Sequence, residues 1–224
     1  MEPLGIEDAL TAAEARVASG SGLDGIGFWP VVAAVKANPE LAERYGERIA
    51  RIDDAAFRRW AWIIVPLALG TTLAVLVTVG GLILIGWAYR LEGLAAVAAF
   101  FLGMGVLLVT THGLGHLVVG RLLGIRFTAW FVASWRRPNP GVKVEYSSYL
   151  RASARDRGWM HASGAIVTKV VPVALIGAAV AAGLPAWAIW VLVALSLVMI
   201  VTDVLWSTKS SDWKKYKREM AQIS

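Results

Sequence analysis

The sequence predicts an all-α polytopic membrane protein with four transmembrane helices and a small interfacial β-hairpin between the second and third. Three observations carry that expectation. The 224 residues are 57% hydrophobic and their mean hydropathy is +0.60, far above a soluble domain with a polar surface. Residues 60-89 and 93-120 contain no Asp, Glu, Lys or Arg, and each exceeds the roughly 20 residues a helix needs to cross a bilayer. The run 158-202 holds a single charge, Lys169, and breaks at Gly183-Leu184-Pro185, so it divides into two further spans, 159-182 and 186-207.

Charge then orients the spans. The net charge of +6 suggests nucleic acid at first sight, but twenty of the twenty-two Lys and Arg residues lie before residue 60, within 121-157 or after Asp203. By the positive-inside rule those segments, and with them both termini, are cytoplasmic, as an even number of spans requires. No nucleic-acid partner is expected; the bilayer is, in a prokaryotic plasma membrane. The N-terminus lacks the basic and apolar layout of a cleaved signal, so the first span is expected to serve as the targeting element. Cysteine is absent, which excludes disulfides and thiolate metal sites and leaves nitrogen and oxygen ligands.

Three regions follow: a cytoplasmic helical segment 1-59, a membrane domain 60-207 with a hairpin insert 125-147, and a basic tail 208-224. In the first, Leu41, Tyr45, Ile49 and Ile52 recur at helical spacing among charged residues, giving an amphipathic helix that ends at Arg58-Arg59-Trp60, a pattern suited to the membrane interface. In the insert, a β-branched and aromatic run from Ile125 to Trp135 precedes a turn at Arg136-Arg137-Pro138-Asn139-Pro140-Gly141 and a second strand, Val142-Lys143-Val144-Glu145-Tyr146. Val142 and Val144 lie where an extended peptide would add to this hairpin as a further strand.

Chemistry concentrates on Thr111-His112-Gly113-Leu114-Gly115-His116 in the second span, which holds two of the three histidines. Residues four apart share a helix face, so His112 and His116 can converge on one ion. In a soluble protein two packed histidines would be the better reading; within a membrane span polar groups are costly and expected to serve a purpose. Asp203 near the end of the fourth span lies at nearly the depth of His116, completing a three-ligand set for zinc with an open position. Lys169 falls about 18 Å along its helix from Arg157, near mid-bilayer. It is a functional candidate by default, and equally an ion-pair partner for Asp203, which would withdraw that carboxylate from zinc.

On these residues the region 93-207 resembles the site-2 protease family of intramembrane zinc metalloproteases. In that family a helix bears H-E-x-x-H, a β-hairpin region follows, a further helix carries a Gly-Pro-x-x-Asn type motif and the next supplies an aspartate ligand. The resemblance implies His112, His116 and Asp203 as zinc ligands, Gly164 as the motif glycine in substrate binding and Thr168 at the motif asparagine. Departures are Gly113 for the catalytic glutamate, Ala165 for the proline and Val204 for a glycine. General acid-base assistance is typically worth ~10²- to 10⁴-fold, so the resemblance implies a protease core acting on membrane-anchored substrates that is inactive or strongly impaired. Glu145 and Lys169 are the only substitutes for the missing base. The alternatives are a non-proteolytic zinc-binding scaffold and a small transporter or channel subunit using Lys169 and Asp203 as a charge relay.

Overall fold

A computed structural model describes residues 3–134, 137–205 and 211–223. In chain order it contains α1 (Pro3–Ala18), α2 (Phe28–Lys36), α3 (Pro39–Trp60), β1 (Ile63–Pro66), α4 (Leu67–Ala88), α5 (Gly93–Leu122), β2 (Phe127–Ser134), β3 (Arg137–Val144), α6 (Tyr146–Arg151), α7 (Ala154–Ala181), α8 (Ala186–Leu205) and α9 (Asp212–Met220). The chain divides into two compact units, one running to Leu67 and taking in Gly120–Asp156, the other comprising Ala68–Val119 and Arg157–Ser224.

The first unit is built on α3. Asn38 caps it by accepting hydrogen bonds from the Glu40 and Leu41 N–H groups, Pro39 opens the first turn, and Arg58 and Arg59 sit in the last turn, where the helix dipole favours cations. Its buried face includes Ala42, Tyr45, Ile49 and Ile52, one turn apart, against Ile6, Leu10 and Ala13 of α1 and Phe28, Val31 and Val35 of α2. Arg151 of α6 ties to Glu43 at 2.9 Å and Glu47 at 3.0 Å. The region expected as a lead-in helix is therefore three helices around a core of their own.

The expected hairpin exists, with two corrections. A third strand joins it: β1 pairs antiparallel with β2, Ile63 opposite Val132 and Val65 opposite Trp130, giving the order β1-β2-β3. Ile63-Ile64-Val65 abuts the apolar span and was expected as its beginning; β-branched residues ahead of Pro66 instead form a strand, and the helix starts at Leu67. The reversal also differs from the expected turn, because Pro138 to Gly141 lie inside β3, with Gly141 opposite Phe131 and Pro140 opposite Val132. Proline is tolerated there because β3 is an edge strand, and a register shift between Val132 and Ser134 absorbs one extra residue. Trp135 and Arg136 lie outside the described residues, as do 206 and 207 at the end of the expected fourth span. Lys143 of β3 forms a buried ion pair with Asp53 of α3 and lies 4.8 Å from the Phe57 ring centroid. Burial pushes the Asp53 carboxyl up while Lys143 pulls it back down, and the net direction is upward.

In the second unit α4, α5, α7 and α8 are each long and apolar enough to cross a membrane, as the sequence indicates for an integral membrane protein. Large apolar side chains such as Leu76, Leu82, Leu102, Val170 and Trp190 are exposed on their outer faces, an arrangement suited to lipid and unsuited to water. The helices share a core of Ile85, Phe100, Met104, Leu107, Ala179 and Leu192. Small residues set the α4–α5 approach: a Cβ on Gly103 would lie 2.6 Å from the Gly81 carbonyl oxygen. Thr78 adds a 2.8 Å hydrogen bond to Thr110 across the same pair. The structure starts α7 at Ala154, where the Ser153 hydroxyl accepts from the Asp156 N–H at 3.1 Å.

Candidate metal centre

His112 and His116 project from one face of α5 with their Nε2 atoms 3.2 Å apart and their rings nearly perpendicular. The first turns of α7 set the second ring. His116 Nδ1 lies 2.7 Å from the Met160 carbonyl oxygen, which also accepts from the Ser163 hydroxyl at 2.7 Å. A carbonyl only accepts, so Nδ1 carries a proton and the ring is turned with Nε2 toward the other two groups. Gly164 makes this placement possible, because a Cβ at that position would collide with the His116 imidazole.

The third group is Asp212, the first residue of α9, whose N-cap Ser211 accepts from the Lys214 N–H at 3.3 Å. Asp212 Oδ2 lies 3.2 Å from His112 Nε2 and 3.1 Å from His116 Nε2, while Oδ1 takes Lys215 Nζ at 2.9 Å. His161 Nδ1 stands 3.9 Å from Oδ1, and its ring centroid is 6.4 Å from that of His116. Burial alone would raise the Asp212 carboxyl; hydrogen bonding to the two histidines and the Lys215 charge outweigh it and hold the group far below the ordinary carboxylate range.

Could these atoms hold a metal? His112, His116 and Asp212 are the one such group among the described residues. Tetrahedral zinc with nitrogen and oxygen ligands at ~2.0–2.1 Å places its ligand atoms about 3.3 Å apart. The triangle here has sides of 3.1 to 3.2 Å, so it is close to one face of such a tetrahedron. His116 Nε2 and Asp212 Oδ2 face each other at 3.1 Å, a separation that a shared proton or a shared metal cation fits. The Nδ1–H bond to Met160 is the kind of outer support metal-binding histidines ordinarily have.

The residues expected from sequence fall in several places. His112 and His116 meet as expected, but the carboxylate beside them is Asp212, not Asp203. Asp203 instead forms an ion pair with Lys169, bridging α8 and α7. Thr168 donates to the Gly164 and Ala165 carbonyls and accepts from Lys169 Nζ at 3.4 Å. Gly113 is buried on α5 beside His112. Val142 and Val144 lie on the edge strand β3, opposite Trp130 and Phe127. Glu145 caps α6: burial opposes its ionisation, but hydrogen bonds from Ser148 and Ser147 prevail and bring its carboxyl down to about 2. Asp212 and Lys215 were not anticipated as neighbours of the histidine pair. For Asp212 the only sequence signal is Ser211-Asp212 opening an amphipathic run, Trp213 to Met220, inside a tail that reads as surface.

No family model, curated protein or solved structure matches this chain.

Proposed function

We propose that this chain is a site-2-protease-like intramembrane zinc metalloprotein, with His112, His116 and Asp212 holding the metal and Gly113 leaving peptide hydrolysis strongly impaired. The observation that carries the reading is the 3.1 to 3.2 Å triangle of His112 Nε2, His116 Nε2 and Asp212 Oδ2, with His116 Nδ1 turned to the Met160 carbonyl. When bound, zinc supplies Lewis acidity that activates water near neutral pH and polarises an amide carbonyl. The chain's own part is to fix the imidazoles, through Met160 and the space left by Gly164, and to hold the carboxylate of Asp212 ionised. At 113 it has no group that moves a proton, so membrane-anchored protein substrates would be bound far better than they are cut. The reading keeps both termini and 121-157 in the cytoplasm, in a prokaryotic plasma membrane; reporter fusions at residues 1 and 224 should both read cytoplasmic.

The test restores a carboxylate. Gly113→Glu, in protein carrying zinc, should gain hydrolysis of a membrane-anchored substrate by ~10²- to 10⁴-fold, the usual worth of acid-base assistance. Unchanged inactivity with zinc in place, over several such substrates, would favour a non-proteolytic scaffold.

A further inference from the structure

Asp212 opens a short, strongly basic helix on which Lys214, Lys217 and Arg218 are exposed. Nothing in such a helix fixes its first residue beside two histidines on α5, so something else must hold α9. The contacts that do so converge on the start of α7. Arg157 Nε lies 2.7 Å from Glu219 Oε2, with side-chain exposures of 3% and 0%. Arg157 Nη2 reaches Gln222 Oε1 at 3.3 Å. A Cβ on Gly158 would press on Met220 and Tyr216, and the Trp159 and Tyr216 rings lie 5.7 Å apart. One turn further along α7, Met160 orients His116.

We infer that α9 is a strap that delivers the third ligand, and that Arg157 and Glu219 are positioning residues that clasp it to α7. The inference rests on the metal reading proposed above. Two charges buried this completely are tolerated because they offset each other, and removing one leaves the other's charge uncompensated away from water. The clasp is therefore made or broken as a unit. Since α7 supports His116 as well, one turn and a half of that helix sets both sides of the site. Metal binding and α9 docking are then reciprocally linked: zinc holds α9 down, and a docked α9 tightens zinc.

The intact wild-type protein tests this without risk of misfolding. Trypsin cleavage at Lys214 to Arg218, followed by mass spectrometry, should slow on adding zinc by a factor on the order of 10 and recover with chelator. Arg157→Met should loosen zinc by ~10- to 100-fold, as losses of outer support do. Arg157→Met/Glu219→Leu should recover most of that affinity, because the apolar pair suits the same buried space. Equal α9 cleavage with and without zinc, in protein that takes up the metal and loses it in Asp212→Ala, would overturn the clasp and leave the metal reading standing. Failure of the wild-type protein to take up zinc would overturn both.

Discussion

In the first compact unit Arg48 lies between Glu7 and Glu14, and Arg151 between Glu43 and Glu47, with the carboxylates 43% to 74% exposed. In the second, Arg157 and Glu219 are buried together, Lys169 pairs with Asp203 on two apolar helices, and Asp212 faces a pair of histidines. The first arrangement is one that water could replace, each exposed pair being worth ~0–1 kcal/mol. The second has no such substitute, and removal of one partner leaves a charge stranded. The buried Asp53–Lys143 pair is the exception in the first unit. Charge decorates one unit and organises the other, and the candidate metal centre lies in the second.

The sharpest way to press that contrast is at a residue with no charge at all. Gly164→Ala places a methyl group where the His116 ring lies, so the ring must leave its Met160 hydrogen bond. Zinc affinity should fall by ~10- to 100-fold, and stability by ~1–3 kcal/mol, the usual cost of overpacking. Titration of the purified variant with zinc, beside a thermal melt, measures both. Unaltered affinity would mean that His116 does not depend on its orientation by α7.

A smaller effect is expected in the first unit, at Glu145. Its carboxyl is held down to about 2 by the amides and hydroxyls at the start of α6. A depressed carboxyl gives stabilisation that is complete above the unfolded value of about 4.3 and is lost as pH falls from there toward 2. Glu145→Ala should cost ~0.5–2 kcal/mol, as lost N-caps do, and should flatten the acid limb of the unfolding profile over that window. An unchanged acid limb would remove the cap from the account of this unit. Smallest of all is Arg58→Ala, which breaks an exposed 2.7 Å pair with Asp54 one turn away. It should change stability by no more than about 0.5 kcal/mol, and a larger loss in a denaturant melt would blur the distinction between the two units.

Much of the fold was legible because a membrane span announces itself by the absence of charge, and the four apolar helices lie where the uncharged runs are. The histidine pair was legible for a related reason, since helical spacing and an apolar setting together made His112 and His116 conspicuous. What escaped did so on physical grounds. Ile63 to Val65 are as apolar as the helix they precede, so hydropathy alone merges strand and span. Pro138 to Gly141 carry turn chemistry, yet an edge strand with a bulge admits them. Asp203 was singled out by an argument from depth, which favours a carboxylate inside a span and passes over Asp212 in the tail. The alternative already open in the sequence, an ion pair with Lys169 that withdraws Asp203, is the one the structure shows, and nothing in the sequence announces a tail helix held to α7 through the buried Arg157–Glu219 pair.

The most direct test is elemental analysis of zinc per chain in purified wild-type protein, in Asp212→Ala, and in Lys169→Met/Asp203→Leu, which removes the α7–α8 ion pair as a unit. The expected result is about one zinc per chain in the wild type and in the double variant, as a three-ligand site requires, and essentially none in Asp212→Ala. Full zinc in Asp212→Ala together with its loss from the double variant would contradict the assignment and return the third ligand to Asp203.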